Sequence, residues 1–169
     1  MRYSPAAAAL ALLVAVTAST GRGAPPVPLD PRAGSLVSEG RKALAEDRVE
    51  DAVDSFEAAL AIQPGHVAIY LNLAEATRKQ GLNGKALHYY REALKLDPAN
   101  QYAIAGEGET LVAKGAVEKA RRNLVKLEQL CGNKTCAPAR QLATAIERGP
   151  APQVVTAEQV ETKPEVTAN

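Results

Sequence analysis

The chain has 169 residues, with 20 Lys+Arg against 19 Asp+Glu and a formal net charge of +1. That balance excludes a strongly basic nucleic-acid binder and an acidic disordered tail protein, and the length admits one domain with tails. Apolar residues make up 46% but aromatic ones only 4%, with no Trp and two Cys, which leaves too little for base-stacking platforms, a disulfide-dense scaffold or a four-Cys zinc site, and suits closely packed helices.

The chain opens with an address. Arg2 precedes an apolar run from Ala6 to about Ala18. At about 13 residues it is shorter than the roughly 20 needed to span a bilayer, and it matches the apolar part of a secretory signal peptide. Val16-Thr17-Ala18 offers small residues for cleavage after Ala18, so residues 1–18 read as a signal peptide. An uncleaved N-terminal helix holding the protein to a membrane is the alternative. Export, to the periplasm, is the expected location. Residues 19–33, with Pro25, Pro26, Pro28 and Pro31 beside Gly21 and Gly23, read as an extended linker. Residues 149–169 lack an apolar period and read as a disordered tail. The folded part is expected over 34–148.

Within it the chain repeats. Ala52, Phe56, Ala59 and Pro64 match Ala86, Tyr90, Ala93 and Pro98 at an offset of 34 residues, and the offset continues to Ala120, Leu124 and Leu127. Gly132 stands where a third Pro is expected. Leu36, Tyr70 and Ile104 share one register, and Gly40, Ala74 and Gly108 another. Each unit holds two helical stretches around a short break. In the second, Ile69, Tyr70, Leu73, Ala74 and Thr77 form a helical stripe, Gly81 caps it, and Leu87, Tyr90, Leu94 and Leu96 mark the partner helix, which Asp97-Pro98 ends. The small residues let paired helices approach closely. No unit buries its apolar face alone, so stacking supplies the core.

This pattern resembles the tetratricopeptide repeat, most closely at Tyr70-Leu-Asn72-Leu73-Ala74, Gly81, Ala86, Tyr90, Ala93 and Pro98. The resemblance implies an all-α solenoid of three helical hairpins, about 33–66, 67–100 and 101–134, with a C-terminal capping helix over 137–148. Glu39 departs from the family pattern in the first unit, and Leu127 and the missing Pro depart in the third. The family is a binding scaffold, so the chain is expected to be a non-enzymatic interaction module of the cell envelope. It would bind a peptide or helix of a partner protein, without cofactor, metal, nucleic acid or small-molecule substrate. A self-associating or membrane-tethered spacer is the other reading. By resemblance the first helix of each unit lines the groove, which would show Val37, Arg41, Asn72, Glu75, Tyr102 and Gly106. Asn72 matches a family Asn that contacts peptide backbone or helps repeats pack. Val37, Tyr102 and Gly106 depart from the pattern that clamps a C-terminal carboxylate.

Cys131 and Cys136 fall between the third unit and the capping helix. In an oxidising compartment they are expected to form a disulfide; two thiols packed as small apolar groups is the alternative. The Leu-Cys-Gly…Cys ending is similar to that of small exported bacterial members of the family. His66 and His88 read as ordinary surface or boundary residues. Gly106-Glu-Gly108-Glu109 lacks the strand and Gly-Lys-Ser/Thr of a phosphate loop, and neighbouring carboxylates on a helix point apart. Gly108 falls on a close-contact position, whereas Gly106 has no evident packing role. Residues 33–66 carry three cations against seven carboxylates, while the next two units are each basic by two charges. The asymmetry could steer a partner or self-contact, or mark ordinary solvated faces.

Overall fold

Seven helices make up the described residues, 28–132 and 136–150, of the computed structural model: α1 (Pro31–Ala45), α2 (Val49–Ile62), α3 (Val67–Lys79), α4 (Asn83–Leu96), α5 (Gln101–Ala113), α6 (Val117–Cys131) and α7 (Ala137–Arg148). The signal segment, most of the linker and nearly all of the expected tail lie outside the described residues.

The 34-residue period is written into the backbone. The turns inside the three hairpins each place one residue at positive φ: Asp47 at 58°, Gly81 at 76° and Gly115 at 75°. Glycine meets this requirement without a Cβ penalty, and Asp is among the few other residues that tolerate it. One residue further on, the same bond recurs: Arg48 N–H to Ala43 O at 2.9 Å, Leu82 N–H to Thr77 O at 3.0 Å, and Ala116 N–H to Leu111 O at 2.8 Å. These six-residue closures satisfy carbonyls that the helix ends would otherwise leave unpaired.

Helix α1 begins at Pro31, inside the stretch read as linker. Asp30 is its N-cap, accepting from Arg32 N–H at 2.8 Å, and Pro31 takes the first helical position, where no N–H is missed. The Gln63 side chain accepts from Asp30 N–H at 2.8 Å and donates to Pro28 O at 2.9 Å, tying the entry of α1 to the end of α2. His66 is likewise a cap: its Nδ1 accepts from Ala68 N–H at 3.3 Å at the start of α3.

Helices α1 and α2, α3 and α4, and α5 and α6 pack as antiparallel hairpins. The hairpins stack through α2 on α3 and α4 on α5, and α1, α3 and α5 meet along one side as an inner layer. Helix α7 lies across α5 and α6 and closes the array. Phe56, Ile69, Leu73, Ile104, Leu127 and Leu142 are the largest fully buried apolar side chains, and each such burial contributes about 1.5–3 kcal/mol. Close approach is set by absent side chains. A Cβ on Gly108 would fall 2.6 Å from Leu142 Cδ2, and one on Gly40 would fall 2.8 Å from Phe56 Cδ1. Leu127, large where the family is small, is fully buried in the cluster that Leu142 and Ile146 of α7 complete. The buried hydroxyls of Thr77 and Thr110 donate one turn back, to Leu73 O at 2.7 Å and Gly106 O at 2.6 Å. A disulfide joins Cys131 to Cys136, between α6 and α7.

Candidate functional site

The inner layer and the capping helix enclose an open groove of about 780 Å³. Its floor comes from α3 and α5, with Leu71, Glu75, Arg78, Ala105, Gly106 and Glu109, and Tyr90 reaches in from α4. Tyr102 stands on the rim, 69% exposed. The far wall is α7, with Arg140, Gln141, Thr144, Ala145 and Arg148. Residues of α7 reach this face because Leu142 and Ile146 anchor its opposite side in the core.

The floor carries a linked polar cluster. Arg78 donates from Nη2 to both oxygens of Glu75, at 2.9 and 2.8 Å, and its Nη1 lies 3.7 Å from Glu109 Oε2. The Tyr90 hydroxyl donates to Glu75 Oε2 at 3.4 Å. Partial burial is the largest influence and works against the charge on Arg78, but its bonds to Glu75 together with the charges of Glu75, Tyr90 and Glu109 outweigh it and hold the guanidinium above its ordinary range. Burial pushes the Glu109 carboxyl up, Arg78 opposes and Glu75 reinforces. Burial, then the charge of Glu75, drives the Tyr90 phenol far above its usual value. Glu75, Arg78 and Glu109 therefore present alternating charge in a partly dry setting, where each is stronger than on open surface.

Glycine at 106 has the packing reason its sequence context did not reveal. A Cβ there would lie 2.6 Å from Tyr90 Oη and closer still to the ring carbons. The aromatic ring of the second hairpin lies over the bare backbone of the third, and its hydroxyl reaches Glu75.

The sequence-derived groove residues divide into groups. Glu75, Tyr102 and Gly106 line the groove together. Arg41 and Asn72 do not line it; Arg41 Nε donates to Asn72 Oδ1 at 3.1 Å, and Asn72 donates to Ala68 O, so this pair bridges the first two hairpins. Val37 is buried at 3% exposure and faces the core instead of the groove, because it packs with Ala33, Gly40 and Ala43 on the inward stripe of α1. Glu107 turns away from Glu109, pairing with Arg91 at 3.0 Å and Asn123 at 3.1 Å. His88 is exposed beside Glu92. Sequence reasoning missed Arg78, Tyr90, Glu109 and the wall of α7. Glu109 was within reach, since it follows Glu75 by one period of 34 residues.

A tetratricopeptide-repeat family model matches residues 37–101 and 77–127, together more than half of the chain. No curated protein matches the sequence. Solved structures agree on the fold. The TPR domain of Sgt2 from Aspergillus fumigatus superposes with a TM-score of 0.64 at 24% identity, covering 86% of this chain and 97% of that one. The TPR2B domain of yeast Sti1, solved as a pHsp70 complex, gives 0.64 at 17% identity, over 70% and 98%. The Yersinia enterocolitica type III secretion chaperone SycD, in complex with a peptide of the translocator YopD, gives 0.60 at 22% identity, over 68% and 86%.

Proposed function

The chain belongs to the tetratricopeptide-repeat family, and from that premise we propose that it is an exported interaction module of the cell envelope whose groove docks an extended peptide of a partner protein. The family is a protein-interaction scaffold, and two of its structural neighbours hold a peptide or a partner in their complexes. The observation that carries the assignment is the groove itself. It is open to solvent, holds paired charged groups on its floor, and keeps an exposed Tyr102 at its rim. Fixed charges give register and on-rate, and an exposed aromatic ring supplies contact area at low entropic cost. Residues 1–18 support export, and the bonded Cys131–Cys136 pair suits an oxidising compartment. Mass spectrometry that finds the mature chain starting at Ser19 supports that location; a chain starting at Met1 contradicts cleavage.

A photo-crosslinking amino acid placed at Tyr102, or at Val125 on the exposed face of α6, tests the docking face in cells. Crosslinks to a partner polypeptide from position 102 and none from 125 are expected. Equal yields, or crosslinks from 125 alone, contradict the assignment.

A further inference from the structure

The described chain ends beside the groove. Gly149 and Pro150 line a second cavity of about 440 Å³ that shares Arg78, Glu109, Ala145 and Arg148 with the main groove. The described residues therefore end at a cavity that adjoins the groove. Residues 151–169 contain Glu158, Glu161, Lys163 and Glu165, set among Val154, Val155, Val160 and Val166. Three carboxylates against one ammonium give the segment a net negative charge, while the groove lining holds three arginines against two glutamates.

In an extended chain Glu161, Lys163 and Glu165 fall on one side, with about 7 Å between successive members of the set. On the groove side Glu109 contacts Arg78 and shares both cavities with it and with Arg148. Glu109 is partly buried, and its ion pair to Arg78 is a long one at 3.7 Å. An incoming ammonium gives it a closer partner. Reach is not limiting, since residues 151–161 span up to about 35 Å when extended, more than the roughly 13 Å radius of gyration of a domain this size.

We propose that residues 151–169 fold back in cis as an internal ligand of the groove, with Lys163 against Glu109 and the flanking Glu161 and Glu165 against the arginines, so that a partner peptide must displace the tail. The contact needs no external partner, and it stands or falls separately from the identity of any protein the groove binds.

The test uses the full chain and a triple variant, Glu158→Lys with Glu161→Lys and Glu165→Lys, whose changes lie outside the helical domain. Amide chemical shifts of Glu75, Tyr102, Glu109, Thr144 and Arg148 are expected to differ between the two proteins, while those of α1 and α2 stay fixed. The differences should shrink in 0.5 M salt, where the Debye length falls to about 4 Å. Zero-length carbodiimide coupling of the wild-type chain should join Lys163 to Glu109 or Glu75 within the monomer. Unchanged groove amides overturn the proposal. So does coupling found only in the dimer band, which would mean the tail of a second copy occupies the groove, and so does coupling spread over the acidic face of α2.

Discussion

Substituting Gly106 by Ala tests how the site is built. On an exposed helix this change stabilises by about 1 kcal/mol, because Ala is the better helix former. Here the new Cβ would fall 2.6 Å from Tyr90 Oη and into the ring. Tyr90 is 4% exposed and belongs to the same buried cluster as Ala86, Ala93 and Ala103, so its ring has little room to yield toward the core. Overpacking of this kind costs about 1–3 kcal/mol, and displacing the ring breaks its bond to Glu75, worth about 1 kcal/mol. The net expectation is a loss of about 1–3 kcal/mol, or roughly 5–10 °C in Tm for a domain of this size. Urea denaturation in a double-mutant cycle with Tyr90→Leu checks the cause. Once the ring is shortened, Gly106→Ala should become neutral or stabilising, a coupling of about 2 kcal/mol. If Gly106→Ala stabilises the unaltered chain by about 1 kcal/mol, the close contact of the second and third hairpins is wrong.

Other expectations follow from the same contacts. Replacing Cys131 and Cys136 by Ser should lower stability by about 2 kcal/mol in the chain-entropy treatment of so short a loop, read by urea denaturation; reductant should weaken the wild type equally and leave the variant unmoved. Arg78→Lys should lose the two-oxygen grip on Glu75 and cost about 1 kcal/mol by thermal melting, because an ammonium cannot copy the planar fork. The Tyr90 phenol is raised from 10.0 by burial, so the folded state keeps its proton where the unfolded chain loses it. Stability should therefore fall as pH rises above about 10, and Tyr90→Phe should flatten that alkaline limb of the denaturation curve. Glu109 is raised from 4.5, so its ionisation costs stability as pH climbs through and just above that value; Glu109→Gln should remove this component from a pH series.

The hairpin stack was legible in the sequence because its determinants are local and periodic. Small residues at Gly40, Ala74 and Gly108, the aromatic pair Phe56 and Tyr90, and the stops at Pro64 and Pro98 each recur at 34 residues and each has one physical job. The start of α1 was less legible. Pro31 reads equally as linker or as a first helical residue, and Gln63, some thirty positions away, is what fixes the entry. The groove was the least legible part. Family position alone put Val37 in it, whereas the inward stripe of α1 buries that side chain. Arg41 and Asn72 have polar side chains suited to a ligand, but they satisfy each other across two hairpins. The wall of α7 lies outside the repeat register, so no period points to Arg140, Thr144 or Arg148. The role of Gly106 depends on a ring sixteen residues away in the neighbouring hairpin, a contact visible only once the hairpins are stacked.

The face formed by α3, α5 and α7 is the one proposed to receive a polypeptide. A peptide selected against the full chain from a random display library, titrated into the isotopically labelled protein, tests this directly by amide shift mapping. The largest shifts are expected on Leu71, Glu75, Tyr102, Ala105 and Glu109. Shifts confined to the outward faces of α2, α4 and α6 would contradict it.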